Sequence, residues 1–258
     1  MRRLIHCLLL FALMAFLPQF AMARNYVLSV GLNNYPRNVG VLMVSTNDAK
    51  AFKEVFQHNA QSSVMLLTDN DATSSAVLQA LKYTFAMAKK DDTAIFFFSG
   101  HGTESGLLCI DRTLPTDQVL EIMRKCKAGT KVIIADACYS GKMRSDTTWQ
   151  KAFAGENVIL FLSSRTDETS METVVDNSLF TIYLKRGLYG EADVNQDLTI
   201  TAKELFDFVH EGVVRDSRET QHPVMWGRFD GNVPIIKWKK SPRVNNKKPR
   251  KKNDTIDN

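Results

Sequence analysis

The sequence predicts an α/β protein built on a doubly wound, mostly parallel sheet with helices on both faces. Three observations predict it. Thr93 to Phe98 and Lys131 to Ala135 are continuous apolar runs of the kind that form strands covered on both sides. Amphipathic segments of helical period alternate with such runs along the chain. Both runs end in short segments, Ser99-Gly100-His101-Gly102 and Asp136-Ala137-Cys138-Tyr139-Ser140-Gly141, placed where loops of an open parallel sheet converge at the strand carboxyl ends.

The elements follow in order. Tyr26 to Gly31 reads as the first strand and Asp48 to Gln57 as an amphipathic helix, with Ser45 or Thr46 as its cap. Val64 to Leu67 is a second strand, closed by Thr68-Asp69-Asn70-Asp71. Ser74 to Lys89 carries Val77, Leu78, Leu81, Phe85 and Met87 near helical spacing. Between the two motif-bearing strands lie a short strand, Leu107 to Ile110, and a helix, Asp117 to Lys125. Val158 to Ser163 is a further strand, Leu179 to Leu188 and Thr201 to Arg215 are helices, and Val233 to Trp238 is the last strand. No internal repeat is present.

The 258 residues, 44% hydrophobic, suffice for a substantial core. Residues 1–23 have the parts of a secretory signal peptide: Met1-Arg2-Arg3, an apolar stretch from Leu4 to Leu17, and Ala21-Met22-Ala23. Cleavage after Ala23 leaves a periplasmic or secreted protein. The stretch falls short of the roughly 20 apolar residues of a membrane span, and the mature chain contains no other candidate. Residues 24–238 form the globular body and 239–258 a disordered basic tail, since the tail, with Pro242 and Pro249, lacks the apolar residues to offset its ordering entropy. Of the formal charge of +5, the leader arginines carry +2 and the tail +6, leaving −3 on the body. The Lys247-Lys248-Pro249-Arg250-Lys251-Lys252 run suits contact with anionic lipid or polyanions, although a solvated tail is the plainer reading. Nothing points to a nucleic-acid partner, and no oligomeric state is implied.

Without the leader, Cys109, Cys126 and Cys138 remain, an odd number in an exported protein, so one thiol stays unpaired or pairs elsewhere. Cys109 and Cys126 fit better as two free thiols than as a disulfide. Cys138 is the candidate nucleophile. A thiol of ordinary pKa is a few per cent thiolate at neutral pH, and an imidazole such as His101 steers its proton and later protonates a leaving amine. Gly102 lets the chain turn closely beside His101, and the N–H groups of Gly102 and Cys138 are the candidate oxyanion donors. The plain alternative is a buried apolar Cys138 and a turn histidine, which the paired motifs argue against. Asp136, two residues before Cys138, shares its face of the strand.

On these motifs, together with Tyr26-Val27-Leu28-Ser29-Val30-Gly31-Leu32-Asn33-Asn34-Tyr35, Asn47-Asp48-Ala49, Ser163-Ser164-Arg165-Thr166-Asp167-Glu168 and Ser178-Leu179-Phe180-Thr181, the chain resembles the caspase-like cysteine peptidases, family C14 of clan CD, and within them metacaspases and their bacterial relatives. The resemblance spans Asn25 to about Lys237. It implies a caspase-like fold with a large-subunit-like part to about residue 160 and a small-subunit-like part from about 161. It also implies a cysteine endopeptidase using His101 and Cys138 on peptide or protein substrates. Asp136 stands where animal caspases carry Gln, which argues against aspartate specificity. Asp136, Asp48 and Ser99 match the metacaspase pocket for a basic side chain, and Ser45 replaces a pocket cysteine; the substrate class implied is Arg or Lys before the scissile bond. Asp48 alternatively complements its helix dipole, and Asp136 alternatively binds turn amides. The competing reading is a catalytically silent relative that binds basic peptides.

No cofactor is required by this chemistry. Calcium is the one candidate: Asp193, Asn195, Asp197, Thr199 and Glu204 fall near the spacing of a calcium loop, with Thr201 at the ninth position, but Leu198 replaces the turn glycine and is expected to resist positive φ. Asp111, Asp117 and Asp146 are loose candidates for the separate calcium cluster that metacaspases carry. The segment with Lys142, Arg144 and Lys151 is a candidate for self-cleavage.

Overall fold

The computed structural model describes residues 23–103, 105–137, 158–165, 176–227 and 229–242. Within them, a six-stranded sheet has the order β10-β8-β7-β3-β1-β2. Strands β1 (Asn25–Gly31), β2 (Ser62–Thr68), β3 (Thr93–Gly100), β7 (Thr130–Ala137) and β8 (Val158–Leu162) are parallel, and β10 (Val224–Trp226) closes one edge antiparallel to β8. Every residue of β3 and β7 is buried, which is why their sequences are continuous apolar runs rather than alternating ones.

Strand alternation sends successive side chains to opposite faces. Leu28, Val30, Phe96, Phe98, Ile133, Ala135 and Leu160 pack with helices α2 (Ser74–Phe85) and α3 (Thr116–Lys125) through Val77, Leu81, Phe85, Val119 and Met123. On the other face, Val27, Ile95, Phe97, Val132, Ile134 and Phe161 pack with α1 (Ser45–Gln57), α4 (Leu179–Arg186) and α5 (Ala202–Asp216) through Phe52, Phe56, Phe180, Leu184, Leu205 and Val209. The sheet is thus covered on both faces. Two small antiparallel sheets flank it: β4 (Gly102–Thr103), β5 (Gly106–Leu108) and β6 (Thr113–Pro115), and β9 (Thr199–Thr201) with β11 (Pro234–Lys237).

Several expectations are corrected. Neither Ser45 nor Thr46 caps α1; Val44 is its N-cap, with no side-chain bond, and Asn33 Oδ1 accepts the Thr46 N–H at 2.9 Å instead. Helix α2 stops at Phe85, not Lys89, because Asp92 Oδ2 accepts the Lys89 N–H at 2.8 Å and folds the chain back; Met87 is 68% exposed. The strand expected over Leu107 to Ile110 is Gly106–Leu108, the middle strand of the β4-β5-β6 meander, and Cys109 and Ile110 fall outside it. The helix at Leu179 ends at Arg186 and continues as a π-helical turn, Gly187–Glu191. The last strand pairs with β9, also apart from the main sheet. Strand β10 went unread because three residues after Pro223 carry too short a pattern. The leader, most of the basic tail, and the segment holding Lys142, Arg144, Asp146 and Lys151 lie outside the described residues.

Candidate active site

Strand register assembles the site along the carboxyl edge of the sheet. Gly31 pairs with Ser99, and Ser99 with Asp136, so Ser99 and Asp136 stand side by side on the α1 face. Gly31, third in that row, has no side chain, and a Cβ there would lie 2.3 Å from the Ser45 carbonyl oxygen. The first turn of α1 therefore rests directly on the strand end. That contact carries Asp48 down onto Ser99, whose hydroxyl donates to Asp48 Oδ2 at 3.0 Å.

The segment entering α4 covers Asp48 and Asp136 from the other side. Ser178, the N-cap of α4, donates its backbone N–H to Asp48 Oδ1 at 2.9 Å, and Asn177 Nδ2 donates to the same oxygen at 3.0 Å. The Ser178 hydroxyl donates to Asp136 Oδ2. Asp48 is 0% and Asp136 4% exposed, so two carboxylates share one dry compartment. Burial, and next the charge of Asp136, raise Asp48 from its ordinary 3.8 to about 7. Ser45 is buried at the first residue of α1, one turn before Asp48.

Asp48 does sit in the first turn of its helix, yet its oxygens are engaged by Ser99, Asn177 and Ser178 from outside it. The sequence did not point to Asn177, and it singled out Ser178 only within the Ser178-Leu179-Phe180-Thr181 motif, without a role beside Asp48 and Asp136.

His101 follows β3, and its position is set by Tyr35. The His101 backbone N–H donates to the Tyr35 hydroxyl at 3.0 Å, that hydroxyl donates to the Leu108 carbonyl at 2.8 Å, and the two rings lie 4.7 Å apart. Burial pushes the Tyr35 phenol well above its ordinary range, so it remains a donor. A Cβ on Gly100 would lie 2.5 Å from the Tyr35 hydroxyl, which accounts for a glycine before the histidine. His101 Nε2 lies 3.2 Å from the Gly40 carbonyl. Gly102 opens strand β4 opposite Leu107. Cys138 lies outside the described residues; in the sequence it follows Ala137, the last residue of β7 and the register partner of Gly100.

Cys109 and Cys126 are free thiols and chemically quiet. Burial, then Asp111, pushes Cys109 up to about 12, and burial also raises Cys126. A thiolate is the reactive form, so neither competes as a nucleophile.

The loop at Asp193 spends its oxygens on its own backbone. Asp193 Oδ1 and Oδ2 accept the N–H groups of Asp197 and Leu198 at 3.2 and 3.1 Å, and Asp197 Oδ1 accepts that of Thr199 at 2.7 Å. Asn195 Oδ1 also accepts the Asp197 N–H. Glu204 turns back to Thr201 in a capping box that starts α5. Leu198 does adopt positive φ, 66°, contrary to expectation; the Asp193 carboxylate and the side chain's packing against the core hold it there. Asp111 accepts the Ser74 N–H at the start of α2, and Asp117 the Gln118 N–H in the first turn of α3. Among the described residues no group of three or more His, Cys, Asp and Glu side chains is placed to hold a metal ion.

The described residues thus place an imidazole after one central strand of a doubly wound sheet and two buried carboxylates beside it. A model of the caspase domain matches residues 24–233, and the chain belongs to that family, peptidase family C14. Two solved structures share the fold. Protein GSU0716 from Geobacter sulfurreducens aligns with a TM-score of 0.61 at 18% identity, over 80% of this chain and 94% of that one. Caspase-1 from Spodoptera frugiperda aligns with a TM-score of 0.62 at 16% identity, over 81% of this chain and 88% of that one. Comparison with curated proteins gives no match.

Proposed function

We propose that this protein is an exported cysteine endopeptidase that hydrolyses peptide bonds after Arg or Lys. Cys138 is the nucleophile and His101 the acid and base. The thiol proton passes to His101, the thiolate adds to the scissile carbonyl, and His101 returns the proton to the leaving amine. Water then hydrolyses the acyl-enzyme with His101 as base. The N–H groups of Gly102 and Cys138 receive the oxyanion.

The observation that carries the specificity is the convergence of Asp48 and Asp136, both buried, beside the strand end that leads to His101. A guanidinium entering there makes paired, charge-assisted bonds, whereas an aspartate side chain meets like charge at a cost of several kcal/mol. Each 1.4 kcal/mol is about tenfold in rate, so Arg is expected to exceed Asp by about a thousandfold or more. Lys, a point charge rather than a fork, is expected to be the poorer basic substrate.

A fluorogenic peptide panel varying only the residue before the scissile bond tests this, with Asp136→Asn as the companion variant. Asp136→Asn should lower kcat/KM for Arg substrates far more than it disturbs folding; cleavage after Asp faster than after Arg would overturn the assignment. The segment holding Lys142, Arg144 and Lys151 is proposed as a self-cleavage region. Mass spectrometry of aged protein beside Cys138→Ala should find cuts there only when Cys138 is present. The Arg/Lys reading extends to partners: the proposed substrates are peptides or proteins presenting basic residues.

A further inference from the structure

The bond between Ala23 and Arg24, where the leader reads as ending, is also the point at which the chain joins the folded body. Ala23 is exposed and lies outside any helix or strand. Arg24 is held on both sides of its backbone: its N–H donates to Asp92 Oδ1 at 2.8 Å, and its carbonyl accepts the Thr93 N–H at 2.9 Å. Asp92 stands just before β3, at the sheet edge opposite the candidate active site, and is 8% exposed. Its other oxygen accepts the Lys89 N–H at 2.8 Å. Both donors are neutral amides, and among the described residues no side-chain cation pairs with Asp92. A buried carboxylate without a counter-charge is costly.

We propose that removal of the leader installs that counter-charge: the α-ammonium of Arg24, freed by the cut, seats on the Asp92 carboxylate as a structural ion pair, so that processing stabilises the fold. This rests on the reading of residues 1–23 as a cleaved export leader. Hydrolysis of the Ala23–Arg24 peptide bond by a leader peptidase consumes one water. Ala23 leaves with the new carboxylate, and Arg24 keeps the new amine, which holds a further proton below about pH 8. The nitrogen already sits 2.8 Å from Asp92 Oδ1, so exchanging an amide for an ammonium needs no movement of the chain. A cut further upstream would carry the amine away by up to about 3.5 Å for each extra residue.

The groups around the pair are few. Lys89, Lys90 and Asp91 share the turn with Asp92 and are exposed, as is Arg24. From the segment after α3, Cys126 feels the Asp92 charge and is held above its ordinary range by burial, and Lys127 is exposed. Lys131, near the start of β7, acts on Cys126 and reaches the Arg124 carbonyl at 3.4 Å. The seated ammonium is therefore harder to deprotonate than that of the unfolded chain. Its stabilisation is fully present below about pH 8, where the unfolded amine titrates, and is lost as pH rises through the higher folded value.

The test compares two forms of the protein, both carrying Cys138→Ala to prevent self-cleavage and both released from a cleavable fusion. One begins at Arg24; the other begins at Ala21, which puts the amine up to about 10 Å further out. Both contain the whole described core. Folding constants are read by denaturant titration at several pH values between about 6.5 and 10.5. The chain beginning at Arg24 should have a folding constant about tenfold higher at pH 6.5, the equivalent of one unit in the amine pKa, and the advantage should vanish at the alkaline end. Asp92→Asn in both forms should abolish the difference. Should Asp92→Asn fail to fold, the two chains with Asp92 intact still decide through their pH dependence. Equal folding constants at pH 6.5 would overturn the proposal and leave the export reading standing. So would an advantage that persists to pH 10.5 or survives in a folded Asp92→Asn. Separately, the protein expressed with its own leader and recovered from the exported fraction should have the mass of a chain beginning at Arg24. A different start, or a retained leader, would overturn the processing step, whatever the two purified forms show.

Discussion

The carbonyl of Gly40 lies 3.2 Å from Nε2 of His101, 61 residues further along the chain. A carbonyl can only accept, so in the neutral imidazole Nε2 carries the proton and Nδ1 is left with the lone pair. The ring is fixed from two directions: the loop after β1 supplies the Gly40 oxygen, and Tyr35 holds the backbone of His101 and packs on its ring. The loop between β1 and α1 thus orients the imidazole at Tyr35 and Gly40 and leads into the helix that delivers Asp48.

Gly40 provides a clean test of that orientation. Its φ is +101° and a Cβ would have nothing within 4 Å, so Gly40→Ala imposes a backbone cost without a clash. That cost is of order 1–2 kcal/mol. The loop should relax, moving the carbonyl away from Nε2. The expected outcome is a drop in kcat of about tenfold with KM for Arg substrates little changed, read by steady-state kinetics. Unchanged kcat would remove Gly40 from the orientation of His101.

The nucleophile assignment separates Cys138 from Cys109 and Cys126. Cys138→Ala and His101→Ala should each abolish cleavage while circular dichroism and the thermal transition stay close to wild type. Cys109→Ser should retain activity, because burial keeps the Cys109 thiol protonated with a pKa of about 12. Its cost should be confined to stability, about 1–2 kcal/mol for a hydroxyl in an apolar site. Cleavage above a tenth of wild type in Cys138→Ala would place the nucleophile elsewhere.

Gly31 tests how the pocket is assembled. A Cβ there would meet the Ser45 oxygen at 2.3 Å and the Ala49 Cβ at 2.7 Å, both on α1. Gly31→Ala must lift α1 off the strand end, at roughly 1–3 kcal/mol of stability. It should also draw Asp48 away from Ser99 and Ser178. KM for Arg substrates should rise several-fold with a smaller effect on kcat, since His101 belongs to β3 and not to α1. Equal losses for Arg and for neutral substrates would mean that the clash disturbs the whole site rather than the acid pair.

The alternating elements and the central strands were legible because apolar runs and helical spacing are local properties of the sequence. Asp136, Ser99 and Asp48 were reached through resemblance, and strand register explains how they come together: Gly31, Ser99 and Asp136 occupy one row of the sheet. The contacts of Asn177 and Ser178 with the two acids were not legible, although Ser178 lies in a quoted motif, because their partners are more than a hundred residues away for Asp48 and 42 away for Asp136. Pattern reasoning has no term for such contacts. Helix limits failed for a related reason. Asn33, 13 residues before Thr46, supplies the bond at the start of α1, and Asp92 fixes the turn after α2. At Leu198 tertiary contacts outweighed a local conformational preference, so a rule that is sound for an isolated leucine gave the wrong backbone.

Asp48→Asn addresses the energetic side of the acid pair. The folded-state pKa of Asp48 is raised from 3.8 to about 7, so over that interval the folded protein binds more protons than the unfolded chain. Stability tied to this group is therefore greatest in acid and is lost as pH rises from about 4 to about 7. Asparagine fits the same hydrogen bonds: its oxygen can accept from Asn177 and Ser178 where Oδ1 does, and its amide can donate to the Ser99 hydroxyl. Replacing a buried charge in this way should raise stability above neutral pH by about 1–3 kcal/mol, with little change near pH 4. Denaturant titrations at several pH values read this directly, as a flatter pH dependence and a higher midpoint at the alkaline end. Cleavage after Arg should fall sharply in the same variant, so that stability and specificity move in opposite directions. A variant less stable than wild type above neutral pH would mean that the three neutral donors more than compensate the buried charge, and that the empty pocket holds Asp48 ionised.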